Sequence, residues 1–127
     1  MAKVILAVLL LAAAVQDSAS GERFVGTWLG TWDGAGTGGF ELTIEKDKSG
    51  LTCKVAVSGD PAYKATCKAL AFDGTKMTAR YDFPPDERAE VQLAASFEDK
   101  KATGTWSLRE KASNNEVATG GWTVSRK

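Results

Sequence analysis

The 127-residue sequence contains no histidine, only two cysteines and only three prolines. Its sixteen acidic residues balance sixteen basic ones, so the formal charge at neutral pH is zero. Each scarcity closes a class of function. Without histidine there is no His-based triad and no ordinary zinc site. Net neutrality leaves no electrostatic footprint for a nucleic acid or an anionic membrane surface. A single long apolar run is present and no second one follows it, so no membrane span is expected. Helical periodicity is almost absent after residue 20.

The apolar run extends from Val4 to Val15 behind Lys3. It is too short to cross a bilayer as a helix and suits the h-region of a signal peptide. Ser18-Ala19-Ser20 offers small residues for cleavage, with Ala12-Ala13-Ala14 as a second candidate, and cleavage near Ser20 is expected. No cysteine follows the run at lipobox distance, so no lipid anchor is indicated. Residues 1–20 are therefore read as a signal peptide and 21–127 as one domain, exported to the periplasm or the extracellular space. In such a compartment two cysteines are expected to pair.

What the rest of the chain does contain is alternation. Apolar and polar residues take turns in short runs separated by Gly, Pro, Asp and Asn, which is the signature of strands. Eight are read: Phe24 to Trp32, Gly39 to Lys46, Leu51 to Ser58, Tyr63 to Ala71, Lys76 to Phe83, Ala89 to Phe97, Ala102 to Arg109 and Val117 to Arg126. One face stays apolar throughout, and the parity slips near Phe72, which is placed in a loop or bulge. The opposite face carries the charges, among them Lys54, Lys64, Lys68, Arg80 and Glu90, as a wetted surface does. A sheet buried on one side must roll up or find a second sheet. Consecutive hairpins favour an up-and-down antiparallel barrel, with the first strand closing on the last.

The hairpin around Asp60 predicts a cysteine pair. If Val57 faces Tyr63 and Val55 faces Ala65, then Cys53 faces Cys67. Directly opposed residues lie about 4.5 to 5.5 Å apart at Cα, within the reach of a disulfide. The alternative is a reduced, buried pair of small hydrophobes.

Gly-Thr-Trp recurs at Gly26-Thr27-Trp28, Gly30-Thr31-Trp32 and Gly104-Thr105-Trp106, with a variant at Gly121-Trp122-Thr123. Phe24-Val25-Gly26-Thr27-Trp28 resembles the Gly-x-Trp first strand of the calycin superfamily, which contains lipocalins, fatty-acid-binding proteins and avidins. The resemblance implies an eight-stranded, lipocalin-like barrel in which an arginine near the last strand packs across the tryptophan. Arg126 is the matching residue, with a structural role. Avidin-like biotin binding would need several polar groups inside the barrel, and the inward face offers little beyond Tyr63 and Tyr81.

Two apparent motifs carry no chemistry. Gly34, Gly36 and Gly39 match a dinucleotide fingerprint, but Phe40 to Ile44 alternates as a strand where a helix N-terminus is required. No cofactor or metal is expected. Asp82, Asp86 and Glu87 around Pro84-Pro85 form the remaining carboxylate group, and turn polarity accounts for them better than a catalytic pair does. The chain is thus read as a non-enzyme that holds a small apolar ligand in its lumen. The contact set would be Trp28, Trp32, Phe40, Leu42, Tyr81, Phe97, Trp106 and Trp122. The alternative is a protein-interaction module, such as a barrel-type protease inhibitor.

Overall fold

A computed structural model describes residues 21–127. The proposed signal peptide at 1–20 lies outside the described residues. The described residues form nine antiparallel strands: β1 Gly26–Asp33, β2 Thr37–Asp47, β3 Gly50–Val57, β4 Tyr63–Thr66, β5 Ala69–Asp73, β6 Lys76–Asp82, β7 Ala89–Phe97, β8 Lys101–Glu110 and β9 Glu116–Arg126. They make one curled sheet in the order β4-β3-β2-β1-β9-β8-β7-β6-β5. The first strand pairs with the last, from Trp28 opposite Arg126 to Trp32 opposite Trp122.

Turn chemistry explains why neighbours in sequence are neighbours in the sheet. Asp47 Oδ1 accepts hydrogen bonds from the Ser49 amide and hydroxyl at 2.8 and 2.7 Å, an Asx turn that hands β2 to β3. Between β5 and β6, Asp73 pairs with Lys76 across two residues, and Gly74 adopts φ +62°, the region such tight hairpins need. Where β1 meets β9 the backbones come so close that a Cβ at Gly30 would sit 1.8 Å from the Thr123 carbonyl oxygen. Only glycine fits there.

The count of nine strands, where alternation reads eight, has one cause. The expected fourth strand breaks at Cys67-Lys68 because its pairing partner changes. The Cys67 amide donates to the Cys53 carbonyl of β3, and the Lys68 amide donates to the Arg80 carbonyl of β6, both at 2.8 Å. The parity slip falls at this step. Cys67 is buried in one frame, and Phe72 is buried in the other, within β5 and not in a loop. Leu70 and Phe72, and not Ala69, are the residues of β5 packed on the core.

The disulfide joins Cys53 to Cys67, with Cα atoms 5.2 Å apart. Its register is the expected one, Val57 opposite Tyr63 and Val55 opposite Ala65. The inner face is the apolar face of the sequence, and among the described residues no polar or charged residue is buried.

Candidate functional site

The inner face divides into two ends. At one, Trp28 is 0% and Phe24 1% exposed, and Phe72 and Phe97 complete an aromatic cluster. The Trp28 and Phe97 rings meet edge to face at 4.9 Å, and Phe24 lies 5.3 Å from Phe72 and 5.0 Å from Phe97. The Arg126 guanidinium covers the Trp28 ring at 4.4 Å from its centroid. The same group donates to the carbonyls of Arg23, Val25 and Asp99 at 2.8, 3.0 and 3.1 Å. This end is filled by its own side chains.

At the other end the rings do not fill the space. A cavity of about 120 Å³ opens between the β1–β2, β3–β4 and β6–β7 connections, and its wall is almost wholly carbon. Trp32, Phe40, Tyr81, Trp106 and Trp122 line it, and Val57, Tyr63, Phe83, Val91, Leu93 and Leu108 complete the sides. Trp32 and Trp106 are only half-buried and meet edge to face at 6.0 Å.

Backbone carbonyls occupy every indole donor at this end. Trp32 Nε1 donates to Ser58 O at 2.9 Å, Trp106 Nε1 to Asp33 O at 2.8 Å and Trp122 Nε1 to Thr105 O at 3.0 Å. These bonds lock each ring to a neighbouring strand or turn, so the wall is preformed and leaves the indole faces for apolar contact. The polar residues of the wall besides these are Asp60, in the β3–β4 connection, and a tyrosine pair. The Tyr63 and Tyr81 hydroxyls lie 2.7 Å apart. Burial raises the pKa of both phenols, so both stay protonated at neutral pH.

Five of the eight residues read as a contact set therefore line the cavity. Trp28, Leu42 and Phe97 do not: Leu42 stands opposite Trp28 in the β1–β2 register, and both belong with Phe97 to the packed core. Tyr63, read from the sequence as inward-facing, lines the cavity as well, and so do Phe83 and the aliphatic wall. Ala35 and Ala118 also reach the cavity, and no sequence signal marks them.

The carboxylates at the β6–β7 turn are committed elsewhere. Asp86 is chelated by Arg88, through the guanidinium at 3.1 and 3.0 Å and the backbone amide at 3.0 Å. Asp82 takes Lys68 at 2.8 Å and Lys111 at 3.0 Å. Hydrogen bonds from these partners hold both carboxyls below the usual range, the opposite of what a general acid needs. The glycine fingerprint leads into β2, a strand. Among the described residues no group of three or more potential metal ligands comes together. Comparison with family models, with curated proteins and with solved structures finds no match for this chain.

Proposed function

We propose that this chain is an exported binding module that takes a small apolar ligand into the cavity at the open end and does no chemistry on it. The observation that carries the reading is the cavity itself, preformed, about 120 Å³ and lined by carbon. An apolar cavity of about 150 Å³ stays dry and binds benzene, so the ligand here is the size of one ring, well short of a fatty acid or retinoid. The disulfide supports export, since such bonds persist in oxidising compartments. A closed, lipocalin-like barrel is part of the proposal. It is supported by the Cys67-Lys68 step, which hydrogen-bonds to β3 on one side and β6 on the other.

Burial of about 200 Å² of apolar surface is worth roughly 5 kcal/mol before the costs of association, so affinity is modest. It is also insensitive to salt, because screening acts on exposed charge. The experiment is a titration with toluene, followed by tryptophan fluorescence and calorimetry, in the wild type and in Ala118→Trp. Ala118 is a half-buried lining residue whose enlargement fills the cavity from its rim. Saturable binding that Ala118→Trp abolishes is the expected result. No saturable binding in the wild type overturns the proposal.

The cavity volume also suits a single apolar side chain of a protein partner, and half-buried Trp32 and Trp106 stand at its mouth. In that second reading toluene competes with the partner, and Ala118→Trp abolishes both.

A further inference from the structure

We infer that the ligand carries a hydrogen-bond acceptor, a carbonyl or ether oxygen on a ring-sized apolar body, and that the Tyr63–Tyr81 pair is the group that recognises it. The inference rests on the cavity being the binding site and names the chemistry of what enters it.

The argument is a proton count. Two neutral phenols bring two O–H donors. Their hydroxyls are 2.7 Å apart and share one hydrogen bond, which uses one proton. The second proton has no acceptor among the described residues, because each phenol's hydrogen bond is to the other. Both rings line the cavity. Every other candidate donor on its wall is spent, since the indole N–H groups of Trp32, Trp106 and Trp122 all reach backbone carbonyls. The pair is also held in place from behind: the Tyr63 ring meets Phe83 edge to face at 5.4 Å, and Tyr81 is 2% exposed. A donor left over in a carbon-lined site costs free energy until an acceptor meets it. A donating phenol is also polarised by the hydrogen bond it accepts from its neighbour, so the pair is a stronger donor than either alone. An acceptor-bearing ligand is selected over its hydrocarbon isostere for that reason.

The test uses cyclohexanone and methylenecyclohexane, which share shape and differ in a carbonyl oxygen against a CH₂ group. Calorimetry in the wild type and in Tyr63→Phe/Tyr81→Phe gives the affinity ratio of the two probes in each protein. The expected result is a ratio that falls about three- to tenfold in the double variant, the size of one net hydrogen bond, while methylenecyclohexane binds both proteins alike. If both probes bind and the ratio is the same in the two proteins, the inference is overturned and the apolar cavity stands. If neither probe binds the wild type, the cavity reading and this inference fall together. A measurement on the wild type alone covers a double variant that does not fold. The infrared carbonyl stretch of bound cyclohexanone should move to lower frequency than in hydrocarbon solvent, and an unshifted band overturns the inference.

Discussion

The two ends of the curled sheet are built from the same residue types and end in opposite states. Each has a tryptophan from β1 with other aromatics around it, yet Trp28 is sealed while Trp32 stands at the mouth of a cavity. The difference lies in what covers the rings. Around Trp28, Phe24 folds back so that its carbonyl accepts the indole N–H at 3.0 Å, and Arg126 lies across the ring and ties three carbonyls together. Around Trp32 the indole instead reaches out to the Ser58 carbonyl of the β3–β4 connection, and the space it leaves is not refilled. One end is closed by its own side chains, and the other leaves an apolar wall uncovered.

The largest effect that tests this contrast is on stability. Trp28→Ala removes a fully buried indole and should cost about 3 to 5 kcal/mol in urea unfolding. Trp32→Ala, at a half-buried site beside existing empty space, should cost distinctly less. Equal losses would show that the mouth is as much a structural element as the sealed end.

Next is the disulfide, with fourteen residues of sequence separation. In the chain-entropy account a loop of that size is worth about 3 kcal/mol. Cys53→Ala/Cys67→Ala should lower stability by that order and leave toluene affinity unchanged, because neither cysteine lines the cavity. Thiol titration of the wild type in denaturant without reductant should find no free thiol. A disulfide variant that loses ligand binding while still folded would place the cavity under the control of the β3–β4 strap.

Arg126 comes third. Arg126→Met keeps part of the apolar stem but loses the cation over Trp28 and the three carbonyl contacts, with an expected cost of roughly 1 kcal/mol for the partly exposed cation–π contact and more if the carbonyls are left dry. Arg126→Lys should recover only part of this, since an ammonium cannot span three acceptors as a planar fork does. Full rescue by lysine would reduce the role of Arg126 to its charge.

How much of this is legible in the sequence follows from what alternation can encode. It separates inside from outside, and away from the Cys67–Phe72 step the apolar face is the inner face of the sheet. It reports position along the strands of the curled sheet only through turn positions. Trp28 and Trp32 are four residues apart on one strand, about 13 Å, and that spacing alone puts them at different ends. Grouping them with Leu42 and Phe97 as one contact set ignores the spacing. The step at Cys67-Lys68 was hidden for a different reason. Ala69-Leu70-Ala71-Phe72 is apolar in both frames, so the pattern cannot say which residue turns inward. Only the change of hydrogen-bonding partner decides it. Tyr63 and Tyr81 were visible as inward-facing phenols. Their meeting at 2.7 Å needed the fold, because they are brought together by strands that do not pair with each other.

The smallest expected effect concerns pH, and it separates the two ends by the chemistry that fastens their outer surfaces. On the outside of the open end, Glu90 of β7 receives Lys68 at 2.6 Å and Arg80 at 3.4 Å, with Gln92 alongside at 3.3 Å, and Asp82 receives Lys68 and Lys111. Burial of Glu90 opposes its ionisation, but the hydrogen bonds from Lys68 and Gln92 win, and its carboxyl titrates below the usual value, as that of Asp82 does. Carboxylates whose pKa is lowered by folding contribute stability that is present above the ordinary carboxylate range and lost as pH falls through their folded-state values. At the sealed end the contacts of Arg126 are to backbone carbonyls and the Trp28 ring, with no carboxylate among them. Acidification from neutral pH to about pH 3 should therefore loosen the open end first. Amide exchange should quicken at Phe83, which donates to the Ala89 carbonyl at 3.1 Å, and at Ala89, which donates to the Asp86 carbonyl at 3.0 Å, while Phe24 and Val25 stay protected. Glu90→Gln keeps the shape of the side chain and removes its titration, so it should flatten the acid dependence at Phe83 and Ala89. These pairs are mostly solvent-exposed, and the effect on global stability is correspondingly small. Uniform quickening at both ends, or an acid response unchanged by Glu90→Gln, would show that the charge network does not fasten the mouth.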